Sequence, residues 1–474
     1  MDASEFRRFG HQAVDWVADY LTGSESIPVT ARIDPGLIRS GLGSAPPRQA
    51  EPMEDILRDF REFIVPGLVH PNHPDYFAPS PAGGSFPSIL GELLSAGVGL
   101  RGQSQEAAPA LTELEERVTA WLAQACGLPE SFKGVIIGSA SAGALAAVLA
   151  ARERATDYRA NQLGLTVLRK RLMIYASQEA HPSVERAVMT AGLGRESFRP
   201  VPVDRNSALD PRAFKEMVGA DLSLGHQPCA VVATVGTPST TARDPVEEVG
   251  RIAREHGLWL HVDAALAGAA AILPEKRNLF SGLELADSYV FNPHEWLFTT
   301  LDCSLFYTAE PGCLERTFRG GPEPLGNNAP RSAPTGGWGI SPAGRLRALK
   351  LWFVIRSFGL EGLQEKLREH LAWARELAGW VEAAEDFDLL APVPLQTVCF
   401  RFLPKGLTRP DQIDQLNERL MELLNTSGRI YLSLTRIGNR NALRFSIGTL
   451  RSTFEDVKRG WEFIRETARG LSGG

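Results

Sequence analysis

Short apolar runs that recur through the middle of the chain constrain its fold more than any other feature of the sequence. Between residues 85 and 355, runs rich in Val, Ile and Ala alternate with longer amphipathic stretches. A continuous apolar run of this length is typical of a strand buried on both faces of a sheet. The alternation predicts an α/β domain with a mostly parallel sheet and helices on both faces. The runs are 134–138, 171–177, 229–236, 258–265, 288–292 and 303–308.

The segments on either side of this domain lack the alternation of apolar runs and amphipathic stretches. The first 84 residues indicate helices joined by Pro-rich loops, with too little apolar surface for a core of their own, so they are expected to pack on another domain or subunit. A long helical pattern over 344–384, broken at Gly359, leads into a predicted C-terminal α+β lobe. Its predicted strands, taken as antiparallel, are 397–404, 428–435 and 442–448. The predicted division of the chain is 1–84, 85–354 and 355–474.

Composition and charge exclude several classes of partner. The 474 residues are 43% hydrophobic and 22% charged, as in an ordinary globular protein. The net charge is −6 and no run of Lys and Arg stands out, so nucleic acid is not an expected partner. No uninterrupted apolar stretch reaches about 18 residues, so no membrane span is expected. The N-terminal residues lack the apolar core of a signal peptide.

The cysteines indicate a reducing compartment. There are five, an odd number, and none has CxxC spacing. This pattern predicts reduced, buried thiols in a cytoplasmic protein, and neither a disulfide framework nor a metal site.

A turn of small residues, GSASAG at 138–143, follows the first apolar run and begins a helix. Ligands of doubly wound sheets bind at the carboxyl ends of strands, where backbone N–H groups of a helix N-terminus can approach an anion. The hydroxyl groups of Ser139 and Ser141 add further donors. A phosphate is the natural ligand of such a turn, although small residues also occur at strand–helix turns for packing alone.

Three ionisable side chains also lie just past apolar runs. Asp263 ends a strongly apolar strand, where an acid is costly to bury unless a cation or hydrogen bonds offset its charge. It is therefore either a helix N-cap or the partner of a protonated ring nitrogen. His181 is either an ordinary loop residue before Pro or a flat ring that stacks on a planar cofactor. His294 has the chemistry of an acid/base or of a phosphate donor.

A phosphate cradle, a stacking His, an Asp for a ring nitrogen and a polar motif after a later strand together describe a pyridoxal phosphate site. With these residues the chain resembles the group II pyridoxal-phosphate-dependent decarboxylases, most closely the aromatic-L-amino-acid decarboxylase branch. The resemblance runs almost from end to end. It is carried by stretches such as PALTELEERVTAWL, GVIIGSASAGALAAVLAAR, AHPSVERA, LWLHVDAALAG, ADSYVFNPHEW and GRLRALKLWFVIRSFG.

The resemblance implies a fold and an assembly. The fold is type I aminotransferase-like, with a mostly parallel seven-stranded sheet, helices on both faces, an N-terminal helical segment and a small C-terminal α+β domain. The assembly is a homodimer in which residues 1–84 wrap around the partner. The small-molecule site lies at the interface between the two subunits.

The resemblance also implies which residues face the phosphate of the cofactor. Ser139, Ala140 and Ser141 match the phosphate-binding turn of the family. Asn292 and His294 match residues that lie near this turn.

Three further residues match positions around the cofactor ring. His181 matches the His that stacks on the pyridine ring, and Ala265 matches the small residue on the other face of the ring. Asp263 matches the carboxylate that keeps the ring nitrogen protonated.

Glu295 departs from the family pattern at its most important position. It stands where the family has the lysine that forms a Schiff base with the cofactor. A carboxylate cannot form an imine, it repels an anionic cofactor, and it offers only acid/base chemistry.

Other positions depart from the family pattern as well. The family's mobile loop carries a Tyr that protonates the carbanion after decarboxylation, whereas 320–337 contains no Tyr and Pro324 stands at that position. Pro238 replaces a hydroxyl residue beside the cofactor. Pro79 and Ala82 stand where the family commonly has an aromatic pocket residue and a phosphate-contacting Thr.

Three hypotheses for function follow. The first is a diverged enzyme that uses Glu295 as a general acid/base, assisted by His181 and His294, on a small polar or amino-acid-derived substrate. In it pyridoxal phosphate is bound non-covalently or not at all. The second is an ordinary aromatic amino acid decarboxylase or aldehyde synthase whose lysine at 295 was altered. The third is a non-catalytic scaffold or regulatory subunit that pairs with an active homologue.

Overall fold

The computed structural model describes residues 1–31, 36–42, 44–79, 83–99, 108–318 and 346–472. The chain forms two compact units, one of residues 1–81, 376–390 and 399–474, and the other of residues 82–375 and 391–398. The N-terminal segment therefore belongs to the same unit as the C-terminal residues. The predicted three-part division with limits at 84 and 354 stays a prediction.

The larger unit is built on a seven-stranded sheet. Its strands are β1 (Lys133–Ile137), β2 (Leu172–Ser177), β3 (Phe198–Val201), β4 (Gln227–Thr234), β5 (Trp259–Asp263), β6 (Ser288–Phe291) and β7 (Ser304–Thr308). They follow the order β1-β7-β6-β5-β4-β2-β3. Strand β7 runs antiparallel to both of its neighbours, and the remaining pairs are parallel. The prediction of a mostly parallel sheet with helices on both faces is confirmed.

Helices connect and flank these strands. Those of the described residues are α1 (Ala3–Thr22), α2 (Leu37–Gly41), α3 (Met53–Asp59), α4 (Phe86–Val98), α5 (Pro109–Cys126), α6 (Ala140–Ala155), α7 (Arg159–Leu163), α8 (Ser183–Thr190), α9 (Pro211–Ser223), α10 (Val246–Glu255), α11 (Pro293–Trp296), α12 (Pro311–Phe318), α13 (Arg347–Glu382), α14 (Pro410–Thr426) and α15 (Phe454–Ser472). Within the described part of the chain, no helix combines the length and apolarity needed to cross a membrane.

Helix α6 packs closely on the sheet through small side chains. Ala144, Ala147 and Ala151 are at most 1% exposed within the core of this unit. A Cβ atom added at Gly143 would lie only 3.0 Å from Val290 and 3.1 Å from Phe306, so glycine permits the approach of helix and strands. This packing fixes the N-terminus of α6 beside the carboxyl end of β1.

The smaller unit contains most of a second sheet. Its strands are β8 (Phe387–Leu389), β9 (Thr397–Phe402), β10 (Ser433–Ile437) and β11 (Arg440–Ser446), in the order β10-β11-β9-β8. Antiparallel pairing of β10 with β11 and of β8 with β9 agrees with the prediction. The predicted break in α13 is confirmed as well, because Gly359 has a non-helical backbone with φ 66° and ψ 167°.

Candidate functional site

Polar side chains gather at one edge of the large sheet. Asp263 is the last residue of β5, and Asn292 directly follows β6. Because β7 is antiparallel, its first residue, Ser304, lies at this same edge and pairs with Ile137 at the end of β1. Two residues after Ile137, Ser139 begins the turn into α6. Ligands of open α/β sheets bind at this edge, so these side chains define the candidate site.

The turn at the start of α6 can hold an anion. Ser139 is the N-cap of this 16-residue helix, and its Oγ accepts a hydrogen bond of 3.2 Å from the N–H of Ala142. Ala140 is buried and Ser141 is exposed. The first N–H groups of a helix have no partner within the helix, and the helix dipole places partial positive charge there. The three residues predicted to bind phosphate therefore lie where a phosphate is stabilised.

Asp263 is a buried carboxylate whose negative charge a bound cation would balance. It is 3% exposed, and its Oδ1 accepts a hydrogen bond of 3.1 Å from the N–H of Ala265. Burial raises the pKa of Asp263, while this N–H and the nearby His181 act in the opposite direction. A single N–H bond offsets little of the desolvation of a carboxylate. A protonated ring nitrogen would supply the missing positive charge.

His181 lies near Asp263, and Ala265 contacts it directly. His181 is half-buried, and its Nδ1 lies 2.8 Å from the Oγ of Ser183 and accepts a hydrogen bond of 3.1 Å from the Ser183 N–H. These contacts hold the imidazole ring in one orientation. The carbonyl of Ala265 accepts a hydrogen bond of 2.8 Å from the Asn292 N–H, so its backbone joins the Asp263 end of the site to Asn292.

Glu295 is held by a chain of hydrogen bonds that the sequence did not predict. It lies in α11 and is 9% exposed. Its Oε1 accepts a hydrogen bond of 2.5 Å from the Asn292 amide. The Oδ1 atom of Asn292 in turn accepts a hydrogen bond of 2.6 Å from the hydroxyl of Ser304, which is fully buried. The carboxylate thus has a fixed position, and Ser304 is a site residue that sequence reasoning missed.

His294 faces the backbone at the start of β7. Its Nδ1 lies 2.7 Å from the carbonyl oxygen of Cys303 and 3.1 Å from the N–H of the same residue, two contacts that require opposite tautomers. Burial lowers the pKa of His294, which favours the neutral ring. Because Nδ1 is engaged with Cys303, only Nε2 remains for a ligand.

Two pairs of side chains, one buried and one partly exposed, each include a residue close in sequence to Glu295. The indole N–H of Trp296 donates a hydrogen bond of 2.9 Å to Nδ1 of His370, and burial lowers the pKa of His370 to about 3. Arg347 binds Asp302 through two hydrogen bonds of 3.0 and 2.8 Å. No strand-end or motif signal in the sequence marks His370, because its partner comes from a distant element.

A family model for the pyridoxal-dependent decarboxylase conserved domain matches residues 35–403. The chain belongs to the pyridoxal-dependent decarboxylase family. The predicted resemblance to group II, aromatic amino acid decarboxylase-like members is confirmed.

Relatives within this family match the chain over almost its whole length. Tyrosine decarboxylase 2 of Narcissus pseudonarcissus is 38% identical over 485 residues, covering 100% of this chain and 96% of that protein. Phenylacetaldehyde synthase of a Rosa hybrid cultivar is 35% identical over 488 residues, covering 99% and 95%.

Solved structures of the family superpose closely. Tryptophan decarboxylase of Catharanthus roseus in complex with L-tryptophan has a TM-score of 0.93 at 34% identity, over 99% of each chain. The 4-hydroxyphenylacetaldehyde synthase of Rhodiola rosea has a TM-score of 0.92 at 32% identity, over 99% of each chain. The predicted fold type I architecture is therefore confirmed.

The remaining departures from the family pattern fall into two groups. Pro238 and Pro79 are exposed. Beside Pro238, the buried hydroxyl of Thr237 accepts a hydrogen bond of 3.0 Å from the N–H of Ala242, so one hydroxyl persists in this loop. Ala82, and the loop 320–337 with Pro324, lie outside the described residues.

Proposed function

We propose that this family member binds pyridoxal phosphate without a covalent link and removes the carboxyl group of an aromatic L-amino acid. The observation that carries the proposal is the buried carboxylate of Asp263, which is 3% exposed at the end of β5. A protonated ring nitrogen would balance the charge of this carboxylate. The aromatic substrate is supported by relatives named for tyrosine and tryptophan, which match the chain over almost its whole length.

Each group at the sheet edge has a place in this chemistry. Pyridoxal phosphate, when bound, supplies an electron sink for the electrons of the bond to the departing carboxyl group. Asp263 would keep the proton on the ring nitrogen, and the N-terminus of α6 with Ser139 would bind the phosphate. His181 and Ala265 would hold the two faces of the ring, which would restrict the orientation of the substrate carboxyl group.

Glu295 has the role that distinguishes this chain. By the resemblance it stands at the Schiff-base lysine of the family, where its carboxylate cannot bond covalently to the aldehyde. Held by the Asn292 amide at 2.5 Å, it is positioned to take a proton from the substrate amine and to return one to the substrate carbon after the carboxyl group leaves. His294 assists through Nε2.

Replacing the carboxylate tests this role. Glu295→Gln keeps the side-chain length and an acceptor for Asn292, but it cannot carry a proton. We expect release of CO2 from a panel of aromatic L-amino acids with pyridoxal phosphate to fall about 10²- to 10⁴-fold, the usual contribution of a positioned acid or base. Glu284→Gln, at an exposed position, is the matched control. Equal turnover of the Glu295→Gln variant and the wild type would remove the role assigned to Glu295.

A second candidate is aldehyde formation. It is favoured by the absence of any Tyr in residues 319–345 and by the phenylacetaldehyde synthases of Rosa and Petunia, 35% and 36% identical to this chain. In that reaction the amino acid, O2 and water give aldehyde, CO2, ammonia and H2O2. Product analysis in the assay above separates the two candidates, because only the second consumes O2 and yields H2O2.

We also propose that the chain forms a homodimer. One face of α4 exposes large apolar side chains, whose exposed fractions are 45% for Phe86, 51% for Leu93 and 49% for Leu94. Apolar clusters of this kind on a helix are typical of protein interfaces. We expect Leu94→Asp to convert a dimer into a monomer in native mass spectrometry, whereas Leu224→Asp, at a site 69% exposed outside this face, leaves the mass unchanged. Turnover by the purified homodimer would also exclude the scaffold hypothesis.

A further inference from the structure

The orientation of the Asn292 amide is fixed by its two partners. Its Oδ1 accepts from the Ser304 hydroxyl at 2.6 Å, and its Nδ2 donates to the Glu295 carboxylate at 2.5 Å. A flipped amide would set its oxygen against the carboxylate, two acceptors in contact, so the observed orientation is strongly preferred. All three side chains are at least 91% buried, which makes the interaction with the charged group stronger than it would be in water.

This chain of hydrogen bonds begins next to the anion-binding turn. Ser304 pairs with Ile137, two residues before Ser139, the N-cap of α6. The carboxylate of Glu295 is therefore an acidic group built into the same sheet edge that receives a phosphate. It accepts a hydrogen bond from one amide N–H of Asn292, and in its ionised form its charge opposes a second anion in a region of low dielectric.

We infer that Glu295 sets how strongly the site selects a phosphorylated ligand over its unphosphorylated counterpart. The inference rests on the proposed function, because it takes the pyridoxal-type ring as the ligand. With the carboxylate present, one of the two amide N–H groups of Asn292 is engaged and the phosphate of the ligand meets a like charge, so the phosphate adds less affinity than the α6 N-terminus alone would give it. Without the carboxylate, the Asn292 N–H and the N-terminus of α6 act on the phosphate together.

The test compares two ligands that differ only in the phosphate. Pyridoxine 5′-phosphate and pyridoxine lack the aldehyde, so neither forms adducts with lysine side chains. Their dissociation constants are measured by quenching of tryptophan fluorescence for wild type, Glu295→Gln and Glu295→Ala at one pH and ionic strength. We expect the ratio of Kd for pyridoxine to Kd for its phosphate to rise about tenfold or more in Glu295→Ala, which corresponds to about 1.4 kcal/mol in the contribution of the phosphate. The ratio should rise by a smaller factor in Glu295→Gln, because Gln removes the charge and keeps an acceptor for Asn292.

Asp263→Asn is the matched control, because Asp263 is assigned to the ring nitrogen. It should weaken both ligands by the same factor and leave their ratio unchanged. If the phosphate ester binds wild type but the ratio is the same in both Glu295 variants, the inference is wrong while the proposed function stands. If neither ligand binds wild type or any variant, the proposed function fails and the inference fails with it.

Discussion

Glu295→Lys is expected to give a protein that turns yellow with pyridoxal phosphate and keeps the cofactor through denaturation after borohydride reduction. Residue 295 lies in α11, 9% exposed, on the turn that follows β6 at the candidate site. A lysine amine there condenses with the aldehyde and loses water, which a carboxylate cannot do. Its positive charge also removes the repulsion of the phosphate. We expect formation of amine or aldehyde from aromatic amino acids to rise by roughly 10²- to 10⁴-fold over wild type.

Peptide mass spectrometry of the reduced protein locates the new bond. The cofactor mass should appear on the peptide that contains residue 295. Glu295→Arg serves as the control, because it brings the same charge without a group that can form an imine. Arg should tighten binding of pyridoxal phosphate yet give no reducible link. An adduct spread over other lysines, with none at residue 295, would place residue 295 away from the cofactor and contradict every role given to Glu295.

The strands that were predicted differ from those that were missed in length and composition. All six apolar runs of the central domain correspond to strands, because a strand buried on both faces has to be apolar throughout. Strand β3 has four residues, one of them Pro200, and lies at the edge of the sheet, where proline is tolerated. Strand β8 has only three residues. Strand β3 is as long as β6, which was predicted, but Arg199 and Pro200 interrupt its apolar sequence. Strand β8 is too short to show a periodic pattern.

For the candidate site, the sequence predicted where the polar residues lie along the strands, but it did not predict which side chains form hydrogen bonds with one another. Asp263 and Asn292 could be assigned to the carboxyl ends of strands because the apolar runs end there. The hydrogen bond from Ser304 to Asn292 depends on β7 running antiparallel, so that its first residue returns to the same edge. The contact of Trp296 with His370 joins residues 74 positions apart in the chain. Such pairs are fixed by tertiary packing and not by local pattern.

Asp263→Asn is expected to change the unliganded and the liganded protein in opposite directions. Burial raises the pKa of Asp263 in the folded chain, so the folded state binds a proton more readily than the unfolded state does. This group therefore stabilises the folded state fully at a pH below the pKa of the unfolded state, and the stabilisation is lost as the pH rises through the higher pKa of the folded state. Asparagine has no such charge, so the unliganded variant should be more stable than wild type at pH 8 and should lose this part of the pH dependence.

With pyridoxal phosphate present, the same substitution should be harmful. The carboxylate and the protonated ring nitrogen form a charge-assisted hydrogen bond, for which about 1.5–3 kcal/mol is typical. Its loss corresponds to roughly 10- to 100-fold weaker binding. Thermal unfolding at pH 8 with and without pyridoxal phosphate measures both effects, because a ligand raises Tm only to the extent that it binds the folded state. Wild type should show a clear increase in Tm with ligand, and Asp263→Asn little or none.

Asp244→Asn separates a ring-nitrogen partner from a buried acid of purely structural importance. Asp244 is fully buried, burial raises its pKa to about 7, and it accepts hydrogen bonds from the N–H groups of Leu209 and Thr234. Its replacement should alter the stability of the unliganded protein and leave the ligand-induced increase in Tm intact. If Asp263→Asn and Asp244→Asn changed that increase equally, Asp263 would have no special relation to the ligand. A carboxylate that pairs with a cationic ring should destabilise the free protein and stabilise the complex, so its replacement by Asn should have opposite effects on the two states. A structural carboxylate such as Asp244 has no contact with the ligand, so its replacement should change the stability of both states alike.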